Sequence, residues 1–400
     1  MTNGNELSKR ELERALVIST VARSLRNFAY GAFAVVFAIA LAERGLSPSL
    51  VGATLSVALV TGALSSLSTA WFERRFGRTA TLVGASLLMT VSGVILVLAR
   101  HPELLVLAAA LGTLSPGGQE VGPFAALEQT AIARGGSEKR ATRRFVLYNF
   151  AGTIAGALGA ACAGLLGSSS TLWVYAAAGL ALAMLYPLLP PHAPMRKAAA
   201  LAAPRRWTYV ETLTLLFGVD ALAGGFVVQS FIAYWLHVRF GTSIADLGWL
   251  FFGTNVLSAL SFAAAIPLAE RFGNLRTMVF THLPSNVLLL LVPLMPTFAG
   301  AAIVLLARYA LSQMDVPTRQ AFMMEIVSDD ERPRMAGMAT AVRPAAAAVA
   351  PLLSGIALQS AVIALPFFVA GGLKIVYDLA LLARFGRTAR LVETDAAVDR

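Results

Sequence analysis

Glu120 is the residue of this sequence whose surroundings most plainly call for chemistry. It lies in Leu114-Ser115-Pro116-Gly117-Gly118-Gln119-Glu120-Val121-Gly122-Pro123, inside an otherwise apolar segment, and no basic residue falls within a helical turn of it. The prolines remove backbone donors and the Gly-Gly pair leaves helical geometry at little cost. Lipid cannot satisfy the freed groups, so such a break is tolerated only against protein or a water-filled cavity. A carboxylate there can load and release a proton as water reaches it, and an acid at that depth reads as functional. About 195 residues later the stretch returns as Ser312-Gln313-Met314-Asp315-Val316-Pro317. Paired interrupted spans in two halves are a pointer to a transporter's binding site. Three further sets of polar residues sit in apolar spans: Arg23, Asn27 and Tyr30 at i, i+4, i+7 with Arg26 beside them; Asp220, Gln229 and Tyr234; and Arg308, Ser312, Asp315 and Arg319 at i, i+4, i+7, i+11. Helical spacing puts the first and last sets on single faces. Glu120, Gln119, Asp220, Asp315, Arg26, Asn27, Tyr30, Arg308 and Arg319 are therefore the candidate proton- and solute-binding residues. Lys374 and Asp378 read as a structural i, i+4 pair, and Arg343 as the partner of a carboxylate on the tenth span. Glu128 and Glu325 lie near Arg134 and Arg332 in sequence and read as gate or loop anchors.

The elements that must carry these residues follow from composition. Of 400 residues, 57% are hydrophobic and 14% charged, with a mean hydropathy of +0.70. Soluble domains carry roughly 25% charged residues, and a membrane core takes about 20 apolar residues per helix. The expected fold is all-α and integral to the membrane: twelve transmembrane helices in two six-helix pseudo-symmetric halves. The expected division is a lead-in at 1–14, a six-helix bundle at 15–189, a linker at 190–208, a second bundle at 209–384 and a tail at 385–400. Predicted spans fall near 15–43, 48–70, 79–99, 103–133, 145–167, 171–189, 209–238, 245–268, 276–295, 298–326, 336–358 and 362–384. The net charge of +10 gathers in every second loop and both tails. That bias predicts cytoplasmic termini in an inner, cytoplasmic membrane and argues against a nucleic-acid partner. An offset of 196 places Gly45 on Gly241, Gly52 on Gly248, and Arg75-Phe76-Gly77 on Arg271-Phe272-Gly273; at 195, Glu120 meets Asp315.

These loops carry a resemblance. Trp71-Phe72-Glu73-Arg74-Arg75-Phe76-Gly77-Arg78-Thr79 is similar to the cytoplasmic Gly-x-x-x-Asp-Arg-x-Gly-Arg signature of the major facilitator superfamily, and Ala269-Glu270-Arg271-Phe272-Gly273-Asn274 repeats it. The signature's opening glycine is Ala70 in one copy and Ile266 in the other. Its aspartate is Arg74 in the first copy and Glu270 in the second, which makes Glu270–Arg271 the better gate pair. The resemblance implies gate roles for Arg75, Gly77, Arg78, Glu270, Arg271 and Gly273, and a cavity lined by spans 1, 4, 7 and 10. Gly152, Gly156, Gly159 and Gly164 match part of the family's antiporter signature without its Gly-Pro pair. No cofactor is expected beyond a proton as coupling ion, and a monomer is expected in the lipid bilayer. The histidines His101, His192, His237 and His282 read as loop or helix-end residues without ligand spacing, which excludes a metal site and an enzyme. The single Cys162 excludes an internal disulfide. The expectation is a secondary transporter of a small solute by alternating access, exporting it against inward proton flow. The alternative is an importer or uniporter of an organic or inorganic anion using the buried arginines.

Overall fold

In the computed structural model the described residues are 9–118, 120, 122–132, 138–190, 209–327 and 331–398. All their regular structure is helical. The helices are α1 (Lys9–Glu43), α2 (Pro48–Phe76), α3 (Arg78–Leu98), α4 (Pro102–Ala110), α5 (Phe124–Ile132), α6 (Glu138–Leu185), α7 (Tyr209–Phe226), α8 (Gln229–Phe240), α9 (Ile244–Phe272), α10 (Asn274–Leu291), α11 (Phe298–Ser312), α12 (Asp315–Ile326), α13 (Arg332–Gln359) and α14 (Leu365–Val398). Among the described residues nine helical stretches are long and apolar enough to cross a membrane. The fold is an all-α membrane bundle, as the composition requires. Expected spans 5 and 6 form the single helix α6, kinked where Gly167 leaves helical geometry at φ 73°. Expected spans 4, 7 and 10 are each two shorter helices. The break in span 7, at Val227 and Val228 after Gly224-Gly225, was not expected.

Contacts divide the chain into two compact units, residues 1–198 with 229–252 and residues 199–228 with 253–400. The expected bundles were continuous in sequence, whereas α8 and the start of α9 pack with the first unit. Ser230 donates from its amide to the Pro116 carbonyl at 2.9 Å and from its hydroxyl to the Ala34 carbonyl at 2.9 Å. A Cβ on Gly248 would lie 2.7 Å from the Ala160 carbonyl oxygen. The edges of the expected bundles also differ. Helix α1 begins within the expected lead-in, and α14 runs beyond 384 to Val398. Residues 191–208 of the expected linker lie outside the described residues.

Close packing in the first unit depends on small residues. A Cβ on Gly31 would meet the Gly156 carbonyl oxygen at 2.0 Å, and one on Gly159 would meet the Phe28 carbonyl oxygen at 2.0 Å. Helices α1 and α6 therefore approach backbone to backbone, as small residues permit between helices in lipid. The second unit closes around Phe217, Met278, Val279, Phe322, Met335 and Tyr377, all buried.

The break between α4 and α5 meets its hydrogen-bonding requirement through neighbours, as lipid-depth irregular backbone must. Thr61 donates to the Ala109 carbonyl at 2.9 Å, Tyr175 to the Thr113 carbonyl at 2.8 Å, and the Gly122 amide to the Ser66 hydroxyl at 3.1 Å. Gly118 and Gly122 take φ of 66° and 79°, a region side chains rarely enter, so the chain turns here at positions where only glycine is unstrained.

Candidate functional site

Each unit holds one buried charge cluster. In the first, Arg26 of α1 is fully buried, with no accessible surface. Its Nη1 and Nη2 each donate to one oxygen of Glu128 at 2.9 Å, a fork-on-carboxylate pair, and its Nε donates to Glu120 Oε1 at 2.6 Å. Tyr148 and Tyr186 also donate to Glu128, at 2.6 and 2.7 Å. Glu128 thus accepts four hydrogen bonds while fully buried. Glu120 is held by less: the Arg26 bond, and Arg23 Nη1 at 3.5 Å from Oε2, an oxygen with no hydrogen bond. The Glu120 side chain keeps 17% of its surface, against none for Glu128. Arg26 lies over the Phe124 ring at 4.6 Å and Arg23 over Tyr148 at 4.3 Å.

The structure corrects two expectations here. Glu120, isolated from cations in sequence, is spatially paired with Arg26, because span 1 packs against the break that carries it. Glu128 anchors Arg26 in the core; its expected neighbour Arg134 lies outside the described residues, as does Gln119. Asn27 and Tyr30 are buried beside Arg26, and Asn27 Oδ1 and the Tyr30 hydroxyl have no hydrogen-bond partner among the described residues.

In the second unit the centre is an acid. Asp220 of α7 receives Lys374 Nζ at 2.5 Å on Oδ1, and Arg343 Nη1 at 3.2 Å and Arg319 Nη1 at 3.3 Å on Oδ2. Arg319 also bonds Asp315 at 2.7 Å, as its i, i+4 spacing predicted. His282 sits 4.0 Å from Asp220 through Nε2 and 2.9 Å from Asp378 through Nδ1, and Asn286 donates to Asp378 at 2.9 Å. Lys374 therefore reaches Asp220 rather than the expected Asp378, and Arg343 reaches α7 rather than the tenth span. His282, read as a helix-end residue, is 3% exposed in the middle of α10. Its signal in the sequence is His282 and Asn286 at i, i+4 on an apolar segment. Arg308 is 7% exposed; it stacks on Tyr309 at 4.9 Å, and among the described residues its Nε and the Ser312 hydroxyl one turn away have no hydrogen-bond partner.

The two clusters use corresponding helices with opposite polarity. Span 1 supplies the cation and span 4 the acids in one unit; span 7 supplies the acid and span 10 the cation Arg319 in the other. What such clusters can do is hold charge in low dielectric, exchange partners and take up a proton; neither contains a nucleophile–base pair. Among the described residues no group of acids, histidines and cysteines could hold a metal ion.

Residues 213–399 match the family model described as Major Facilitator Superfamily. The fold matches the nucleoside transporter NupG with a TM-score of 0.73 at 14% identity, covering 93% of this chain and 99% of that one. It matches the xylose transporter XylE of E. coli at 0.70 and 15% identity over 92% and 95% of the two chains. The second half of the chain thus matches the major facilitator superfamily, and the whole chain has the fold of membrane transporters. A bacterial homolog of the lysosomal transporter Spinster has the same fold, with a TM-score of 0.73 at 14% identity over 96% of this chain and 98% of that one. A relative in sequence, "Uncharacterized membrane protein YJR124C" of Saccharomyces cerevisiae, is 25% identical over 410 residues, 90% of this chain and 92% of its own.

The two signature-like loops are geometric copies. Gly77 (φ 81°, ψ 162°) and Gly273 (φ 80°, ψ 160°) turn the chain between consecutive helices, each donating its amide to the carbonyl four residues back. Arg78 is buried and donates to the Pro190 carbonyl. Arg75 is exposed, as are Glu270 and Arg271, and Arg271 lies over Phe272 at 5.2 Å. Glu325 accepts from Asn274, and the side chain of Arg332 lies outside the described ones.

Proposed function

We propose that this facilitator couples movement of a small solute to protons, with Glu120 as the acid that exchanges between Arg26 and a proton. The observation behind this reading is the unequal hold on the two carboxylates of the first cluster. Glu128 is fixed by a two-pronged arginine and two tyrosines, so Arg26 keeps a counter-charge whatever Glu120 does. Glu120 has one strong bond and some access to water. Protonating it releases Arg26 Nε and Arg23 without leaving Arg26 unpaired. The same event at Glu128 would strand a buried arginine, at the several kcal/mol typical of such losses.

The test uses proteoliposomes containing the full chain and a trapped pH dye, offered a panel of organic anions, organic cations, nucleosides and sugars. A compound that moves should shift internal pH in the wild type. In Glu120→Gln the pH shift should disappear while exchange of the same labelled compound persists. Full gradient-driven flux in Glu120→Gln would show that protons couple elsewhere. The sign of the shift reports direction, for which the sequence favours export.

A second reading concerns the solute's charge. Arg308 is a buried cation whose described contact is a tyrosine ring, with the unpartnered Ser312 hydroxyl one turn along the same face. Buried charge calls for a counter-charge, which a carboxylate or other anionic group on the solute would supply. Arg308→Gln should then abolish transport of anions in the panel and leave any cationic substrate unaffected.

A further inference from the structure

A cavity of about 850 Å³ lies in the second unit between α9, α10 and α14, apart from both charge clusters. Its apolar wall includes Leu268, Phe272, Phe280 and Leu382, and its polar lining includes Arg276, Arg387 and Thr277. No carboxylate is among its described lining residues.

Depth places this cavity at a membrane surface. From Leu365 to Arg387, helix α14 runs about 33 Å at ~1.5 Å per residue, just beyond a hydrocarbon core ~30 Å thick. Arg276 stands three residues past the Gly273 turn, at the same end of the unit. The positive-inside bias makes this the cytoplasmic side. The wall faces outward, since Phe280 is 63% and Phe272 46% exposed.

An independent observation points to a ligand. Thr277 is 3% exposed, lines the cavity, and its hydroxyl has no hydrogen-bond partner among the described residues. The repeat supplies a control inside the same chain. Thr81, the equivalent residue of the first half, turns its hydroxyl back onto the Gly77 carbonyl at 2.8 Å. Thr277 has the matching Gly273 carbonyl, to which its amide bonds at 3.1 Å, yet its hydroxyl does not use it. Thr281 does satisfy its hydroxyl on backbone, at 2.8 Å to the Thr277 carbonyl.

We propose that this cavity binds one anionic phospholipid of the cytoplasmic leaflet. Arg276 and Arg387 take the phosphate, the Thr277 hydroxyl donates to a phosphate or glycerol oxygen, and the acyl chains lie along Phe280 and its apolar neighbours. Basic pockets between helices at this level suit anionic headgroups, and the outward apolar wall selects a molecule with chains over a free phosphate. The site regulates or stabilises the second unit independently of how the solute is coupled.

The experiment is native mass spectrometry of the full chain in detergent, titrated with phosphatidylglycerol, phosphatidylcholine or glycerol 3-phosphate. The wild type should retain phosphatidylglycerol in preference to phosphatidylcholine, and glycerol 3-phosphate should not compete. Each arginine near the surface is worth about a factor of five in affinity, so Arg276→Gln with Arg387→Gln should weaken phosphatidylglycerol by about 30-fold. Thr277→Val should weaken it by about fivefold, the worth of one hydrogen bond. Arg74→Gln with Arg75→Gln, at the corresponding loop of the first half, should leave it unchanged. Both target arginines are exposed, so the variants are expected to fold; the single substitutions, each about fivefold, give the same reading at smaller perturbation. Equal retention of the two lipids, wild-type affinity in the double variant, an equal loss in the Arg74/Arg75 control, or effective competition by glycerol 3-phosphate each overturns the proposal.

Discussion

Glu128→Gln probes the first cluster most sharply. The substitution keeps size and shape, so its cost is one of charge and hydrogen-bond direction. Glu128 accepts from two arginine nitrogens and two tyrosine hydroxyls. A glutamine amide nitrogen cannot accept, so at one side a donor faces Arg26 and a tyrosine that also donate. The tyrosines can rotate their hydroxyl hydrogens; the arginine cannot. Removing one partner of a fully buried pair costs about 3–5 kcal/mol. At ~2–4 °C per kcal/mol for a unit of ~150–250 residues, the melting temperature should fall by roughly 6–20 °C. Glu120→Gln removes a carboxylate that is 17% exposed and bonded once, and Gln can still accept from Arg26 Nε. That loss should be about 1 kcal/mol, or ~2–4 °C. Cys162, the single cysteine, is half-buried, so a thiol-reactive dye in detergent reads unfolding of the unit directly. Equal shifts for the two variants would refute the assignment of Glu128 as anchor and Glu120 as the exchangeable acid.

Asp220→Asn leaves Lys374, Arg319 and Arg343 competing around a neutral group, and should lower the stability of the second unit by about 3–5 kcal/mol; adding Lys374→Met should recover a substantial part, read by scanning calorimetry of the full chain. Gly159→Ala should cost about 1–3 kcal/mol through overpacking, because its Cβ would lie 2.0 Å from the Phe28 carbonyl oxygen, whereas Gly84→Ala, with no atom within 4 Å, should be close to neutral. In a Cys162→Ala background, cysteine at Ser169 or Ser243, both exposed, should label from outside intact cells and cysteine at Ser137 should not; the reverse pattern would invert the orientation assigned from loop charge.

Hydropathy and loop charge made the helical membrane fold legible, because both are local properties of a segment. The breaks at Pro116–Pro123 and Gln313–Met314 were visible for the same reason: proline, glycine and an acid inside an apolar run. The break after Phe226 has only Gly224-Gly225 as a signal, and two β-branched valines sit at the break itself, so nothing local separates it from an unbroken helix. Partners were far less legible. Arg26 meets Glu120 and Glu128 across 94 and 102 residues, and Asp220 meets Lys374 across 154. Such pairings depend on which faces two helices turn toward each other. Within one helix the spacing worked for Asp315 and Arg319 and misled for Lys374 and Asp378, where a flexible lysine found a nearer acid on another helix.

The Arg26–Glu128 pair also sets a problem of timing during synthesis. Arg23 and Arg26 lie in the first span, and Glu128 is made 102 residues later. At ~5–20 residues per second, α1 exists for about 5–20 s before the acids that neutralise it leave the ribosome. An arginine at the centre of an inserted helix costs ~2.5–3.5 kcal/mol on translocon scales. During that interval the first span, otherwise apolar enough to cross a membrane, carries the cost of its unneutralised arginines. That cost is relieved when the broken span containing Glu120 and Glu128 arrives. In the finished chain the fourth span supplies the counter-charges that the first was made without.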